Sequence, residues 1–337
     1  MSDSLLYKLR SGKPSKAYFF LKGYLKRCIP DCFFTMREKS LQEQVEMRSD
    51  RDYIYERVNY YNKLQHPALL PEQVLHENKH TYYIYLDKIR NFHPSTFHKA
   101  YYFDLMDVAC RFDRNLRISY IPGDVYFTPK YPSIVKSRLL KEDNGCSVVL
   151  KLDKLRHFMF LNDPVPFHKK RNQAIFRGKI RLSRIRKKFL QMYFGSSLCD
   201  CGVTGRNEGC PDDWITPKKT IREHLDYKFI MALEGNDVAS NLKWVMSSNS
   251  IAVMTRPTCE TWFMEGKLVP DYHYIEIADD LSDLEEKLTY YINHPAEAEL
   301  IIRHAHEYVA QFFDTRRERL ISLLVLDKYF QMTGQKQ

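Results

Sequence analysis

From residue 172 onward the chain alternates short apolar runs with stretches of helical periodicity, and this alternation leaves few folds open. Apolar runs at 173–177, 197–201, 227–233, 250–254 and 272–277 read as strands. Between them, about 181–193, about 238–246, 260–265 and 280–293 read as helices, and a short helix begins at Thr216-Pro217, since proline suits the first helical position. The unbroken apolar run at 250–254 is of the kind covered on both faces of a parallel sheet. Strand and helix repeated in this way predict a doubly wound α/β domain.

The corner that ends the first of these strands carries most of the charge. Ala174-Ile175-Phe176-Arg177-Gly178-Lys179 breaks at its glycine and opens into Ile180-Arg181-Leu182-Ser183-Arg184-Ile185-Arg186-Lys187-Lys188. Between 169 and 188, ten of twenty residues are Lys or Arg and none is acidic, enough to account for the whole net charge of +10. A helix N-terminus under a glycine turn offers unpaired backbone N–H groups and the positive end of a dipole. Guanidinium groups added there predict a phosphate or diphosphate site. A solvated basic helix face would show the same run of charge. A second corner, Leu233-Glu234-Gly235-Asn236-Asp237, puts another glycine at a strand end ahead of a helix, aimed at the same sheet edge. Neither corner has the spacing of a dinucleotide fingerprint or a P-loop, so neither class is supported.

The first half is less regular. Residues 1–65 read as mainly helical, with one helix at 15–27 and a second, long one at 38–64. The segment 15–27 is basic on one side and aromatic on the other, which suits a helix packed on its own domain or one lying on an anionic membrane surface. Strands are expected at 81–85, 116–121, 133–137 and 147–151, with a helix at about 100–112. The strand 116–121 runs out into Pro122-Gly123-Asp124. In open α/β sheets reactive side chains gather outside the carboxyl ends of strands, which makes Asp124 a candidate base; a turn aspartate is the plainer alternative. Prolines 164 and 166 and the polar stretch to Arg171 read as an inter-domain linker. Residues 296–332 read as one or two helices joined near Asp314-Thr315, apolar enough to cross back onto the first domain. The expected division is thus 1–165, 166–313 and a returning helix at 314–337.

Composition narrows the partners. A chain of 337 residues that is 44% hydrophobic and 14% aromatic is a folded protein and no disordered basic tail. No run approaches the roughly 18 apolar residues of a membrane span, and the first residues lack a secretory signal, so a cytoplasmic location is expected. The eight cysteines are scattered as reduced thiols would be, and the C-x-C spacing of Cys199 and Cys201, with Cys210 beyond, is unlike a zinc knuckle. A basic balance admits nucleic acid, anionic lipid or a phosphorylated small molecule. A nucleic-acid or polyanion binder using 169–188 would interleave exposed aromatics for stacking, yet only Phe176 lies within the run, with Phe167 and Phe189 beside it. No D-x-D triplet stands at a strand end to hold a divalent metal. Arg177, Lys179, Arg181 and Arg184 would therefore neutralise a diphosphate.

These residues carry a resemblance. Asp226-Tyr227-Lys228-Phe229 through Glu234-Gly235, with Ser240, Lys243, the strand 250–254, Trp262, Tyr272-His273-Tyr274-Ile275 and Asp280-Leu281, resembles glycosyltransferase family 90. That family contains protein O-glucosyltransferases, fungal capsule xylosyltransferases and bacterial lipopolysaccharide core transferases. The stretch from Lys169-Lys170 to Phe176-Arg177-Gly178 is similar to the family's basic run before its Phe-Arg-Gly motif, and the likeness spans roughly 116–313.

The resemblance implies an α/β fold of two Rossmann-like domains (GT-B type) with a deep inter-domain cleft. It also implies inverting transfer from a UDP-sugar to a glycan hydroxyl, in lipopolysaccharide or other surface-glycan synthesis, without a metal or resident cofactor. Donor contacts would come from Arg177, Gly178, Lys179, Arg181 and Arg184, and from Glu234, Gly235, Asn236, Asp237, Ser240 and Asn241, the last standing where many relatives carry arginine. The family's catalytic aspartate follows a strand of the first domain, and by order Asp124 is nearest; Lys136 and Glu260 would orient donor or acceptor. The expected acceptor is a lipid-linked or surface glycan at the inner face of the cytoplasmic membrane, with peripheral contact to anionic lipid and no nucleic-acid partner.

Overall fold

The computed structural model describes residues 15–27, 38–78, 83–94, 99–140, 143–180, 183–205 and 209–336. They fall into two compact units, and the chain enters the first of them three times: over Ser15–Leu155, over Thr258–Met264, and from Phe312 onward.

That first unit opens with helices α1 (Lys16–Arg27), α2 (Glu38–Glu46) and α3 (Arg51–Tyr61). The long helix expected at 38–64 is broken between α2 and α3, where Asp50 turns to pair with Arg48 and Arg317. Strands β1 (Leu75–Asn78) and β2 (Tyr83–Lys88), helix α4 (Lys99–Ala109), and strands β3 (Arg117–Ile121), β4 (Ser133–Val135), β5 (Ser137–Leu139) and β6 (Ser147–Val149) follow. The sheet order is β1-β2-β3-β4-β6. Its β1 to β3 edge is antiparallel and its β3-β4-β6 half is parallel.

The second unit contains the regular alternation. Strand β7 (Arg171–Gly178), helix α5 (Arg184–Tyr193), β8 (Cys199–Val203), α6 (Ile221–His224), β9 (Tyr227–Met231), α7 (Leu242–Met246) and β10 (Ile251–Met254) come in turn. After an excursion through β11 (Cys259–Thr261), β12 (Ile275–Glu276), α8 (Leu284–Asn293) and α9 (Pro295–Ala310) complete it. All its strands are parallel, in the order β12-β10-β9-β7-β8. One face buries Phe176, Phe229, Met231, Val253 and Ile275 against Phe189 and Leu190 of α5 and Leu284 and Leu288 of α8. Right-handed crossovers then put α6 and α7 on the opposite face from α5. The α6 helix begins at a capping box of Thr220 and Glu223, four residues later than Thr216-Pro217 suggested.

The returning segments close the first unit. Residues 260–265 were expected to be helical; instead β11 pairs antiparallel with β5, because a buried partner outweighs the helical propensity of its glutamates. Helix α10 (Thr315–Met332) is capped by Asp314, which accepts from the Arg316 and Arg317 backbone N–H groups. Its Glu318 accepts from Arg57 (2.5 Å), Trp262 (2.6 Å) and Lys151 (2.9 Å), all in the core. Tyr61 stacks on Trp262 at 3.8 Å and donates to the Trp262 carbonyl. Burial alone would raise the Glu318 carboxyl, but Lys151 and Arg57 outweigh it and hold it below its usual range. The network welds three distant stretches of chain into one core.

Candidate active site

Read in chain order, the strands of the parallel sheet run 2-1-3-4-5, so the direction of winding reverses between β7 and β9. In open α/β sheets ligands bind in the crevice outside the strand carboxyl ends at such a reversal. Both glycine corners lie there. Ser183 caps α5: its hydroxyl accepts from the Arg186 N–H and donates to the Glu234 carbonyl at 2.9 Å. Helix side chains lean toward the N-terminus, so Arg186 reaches back over the same turn. Its Nε and Nη2 donate to the Leu233 carbonyl (3.2 and 2.8 Å) and its Nη1 to the Lys179 carbonyl (3.1 Å). One guanidinium thus ties the corner after β7 to the corner after β9. A Cβ on Gly235 would stand 3.1 Å from Arg186 Nη2, so a side chain here would press on the clamp.

Charge accumulates at this point. Lys179 and Arg184 are exposed, and Arg184, Arg186 and Lys187 fall in the first turn of α5, which holds no acidic residue. Cations at a helix N-terminus oppose the dipole and cost a few tenths of a kcal/mol each. An anion placed against them reverses that sign. In the second corner Gly235 N–H donates to the Asp237 carbonyl, Asn236 is exposed, Asp237 is buried and Ser240 is half-buried. The helix expected from about residue 238 begins only at Leu242, and Asn241 ahead of it donates to the Met231 carbonyl at 3.0 Å, pinning the loop to its own strand.

The remaining candidates lie in the other unit. Asp124 follows β3 through Gly123, whose φ of 100° only glycine adopts readily. Lys136, 1% exposed, donates to Asp124 Oδ1 at 2.7 Å, while Asp124 keeps 31% of its side chain exposed. A buried ammonium beside a solvent-facing carboxylate fixes the position of that carboxylate. Glu260 is different: it is buried, with Arg138 on Oε1 at 2.7 Å and the Tyr60 hydroxyl on Oε2. The structure brings Asp124 and Lys136 together and gives Glu260 to the core.

The Glycosyl transferase family 90 model matches residues 150–333, which take in both glycine corners. An O-glucosyltransferase, LpsA, of Dichelobacter nodosus is 37% identical over 283 residues, 84% of each chain. The chain belongs to glycosyltransferase family 90.

In this glycosyltransferase Arg177 turns away from the corner. Its guanidinium pairs with Asp200 of β8 and donates to the Asp200 carbonyl at 2.8 Å, leaving its side chain 6% exposed. Burial would raise the Asp200 carboxyl, but the Tyr227 hydroxyl and Arg177 outweigh it and hold it low. Arg181 lies outside the described residues. Lys243 is buried in a 2.5 Å ion pair with Glu265. Cys199 and Cys201 pack in the core, where burial pushes their thiols up to about 12 and about 11. Among the described residues no helix of the transferase is long and apolar enough to cross a membrane. Sequence reasoning missed Ser183 and Arg186. Serine three residues ahead of Arg186 was a visible cap signal, but nothing in a run of ten cations marks the one that bridges two loops.

Proposed function

We propose that this family 90 enzyme is a GT-B transferase that moves a sugar from a UDP-sugar to a hydroxyl of a glycan acceptor with inversion. One observation supports this reading above the others: two strand-to-helix corners joined at the reversal of a parallel sheet, with three first-turn cations and an exposed Lys179 beside them. Such an arrangement suits a diphosphate, and Lys179, Arg184 and the α5 N-terminus would neutralise it in place of a metal ion. Gly178, and Glu234, Gly235 and Asn236 of the second corner, would let the donor come close to the backbone.

Asp124 would take the proton of the acceptor hydroxyl as its oxygen bonds to the anomeric carbon. The bond to UDP breaks on the opposite face, and UDP leaves with the electron pair. Lys136 would hold the carboxylate in place. The name of the Dichelobacter relative makes UDP-glucose the first donor to test. We propose a lipid-linked or surface glycan, of lipopolysaccharide or a similar polymer, as acceptor. The α1 helix, with Lys16, Lys22 and Lys26 and with Tyr18, Leu21 and Leu25 exposed, supports contact with an anionic membrane surface.

The test is a melting-shift and turnover screen across UDP-sugars. Asp124→Asn should lower transfer by about 100-fold or more while the UDP-induced rise in melting temperature stays. Undiminished turnover in that variant would remove Asp124 as the base. No melting shift with any UDP compound would remove the donor reading.

A further inference from the structure

A cavity of about 250 Å³ opens in the first unit, on the face of its sheet that carries Tyr85 and Tyr120. The two are cross-strand partners, and His76 is the partner of Tyr85 on β1, so one row of side chains crosses three strands. The floor is aromatic: Phe92, Tyr102 and Tyr120 are buried. Tyr85 is half-buried and forms a wall. The rim is polar, with His76, Asn91 and His93 exposed. Asp87 orders that rim. It accepts from Asn91 at 2.8 Å and lies 3.2 Å from His76 Nε2.

Small-molecule sites combine apolar walls with a few convergent polar groups, and this volume falls just below their usual range of about 300–1,000 Å³. A space of this size suits a single ring. A pyranose has the matching anatomy, since one face is C–H and suits the negative face of a tyrosine ring, while its edge is hydroxyl and suits an amide and two imidazoles. The position also has a meaning. Pro122 lines the cavity and Asp124 is two residues on, so the two backbones are at most about 7 Å apart. The glycine corners of the donor reading belong to the other unit and have no part in this cavity.

We propose that this cavity is a subsite for one sugar ring of the acceptor glycan, with Tyr85 as the stacking face and His76, Asn91 and His93 reading its hydroxyls. The assignment rests on the transferase reading for its meaning, but binding can be measured without transfer. Saturation-transfer NMR on the whole protein, without nucleotide, would use methyl glycosides of glucose, galactose, mannose and N-acetylglucosamine as probes. At least one should receive saturation on its ring protons. Tyr85→Ala should weaken that binding about fivefold or more. His93→Ala, at an exposed position that does not threaten the fold, should weaken it as well, and the UDP-induced melting shift should be unchanged in both. If no glycoside is saturated, or if both variants bind as the wild type does, the subsite is refuted. If a glycoside binds as described while UDP gives no shift, the subsite stands and the donor reading falls.

Discussion

Arg186 offers the sharpest test of how the two corners are held. Arg186→Ala removes three donors, two from the Leu233 carbonyl and one from the Lys179 carbonyl. Water can replace the bond at exposed Lys179, but Leu233 is buried, so the loss falls mainly there. A hydrogen bond from a charged donor contributes about 1.5–3 kcal/mol net; taking about 2 kcal/mol predicts a melting temperature lower by about 4–8 °C. The donor site should suffer separately. A guanidinium about 6 Å from a phosphate charge contributes roughly 3 kcal/mol at an effective dielectric near 20, and solvent at this half-exposed corner roughly halves that. UDP affinity should therefore fall about tenfold, read by titration calorimetry. Arg186→Lys separates the two effects, because one ammonium keeps the charge but does not reproduce the planar fork. It should keep most of the UDP affinity and lose much of the stability. If Arg186→Ala melts and binds UDP like the wild type, the clamp does not exist.

Four further outcomes are expected. Turnover with a UDP-sugar should survive excess EDTA, and restoration by added magnesium after a loss would refute neutralisation by lysine and arginine alone. Burial raises the Asp104 carboxyl from 3.8 to about 6 despite Lys154 beside it, so the folded chain binds more protons between those values and stability falls as pH rises through them. Asp104→Asn removes that fall, and its stability relative to wild type should climb between pH 4 and pH 7 by up to roughly 3 kcal/mol; a constant difference across that range would refute the assignment. A Cβ on Gly202 would lie 2.1 Å from Thr216 Oγ1, so Gly202→Ala should cost about 1–3 kcal/mol in a denaturant titration, and an unchanged midpoint would contradict the packing of β8. Arg138→Met alone strands buried Glu260 and should cost about 3–5 kcal/mol, whereas Arg138→Met with Glu260→Leu should recover much of it; additive losses would refute their coupling.

Much of the parallel unit was legible because period and turn chemistry act locally. Apolar runs, Gly178 and Gly235 place strand ends without knowledge of the rest, and Asp314-Thr315 marks the joint between α9 and α10 because a cap is a short-range device. What escaped was decided by distant partners. Glu260 looks like part of a helix until Arg138, 122 residues away, pairs with it across a strand ladder. Arg177 looks like one more cation at the corner, and only the fold reveals Asp200 beside it. Asp124 and Lys136 were separate candidates in the sequence, and it is the register of β3 and β4 that sets them side by side.

The Glu318 network has a consequence for how the molecule is made. Arg57 meets its carboxylate partner 261 residues later in the chain. Every residue of the parallel unit has been synthesised by then. Of the two units, the one that holds Arg57 therefore closes after the residues of the other are made, and until Glu318 emerges its arginine and tryptophan wait without their acid. A nascent chain stalled before Glu318 should present an open, protease-sensitive first unit and a completed second one.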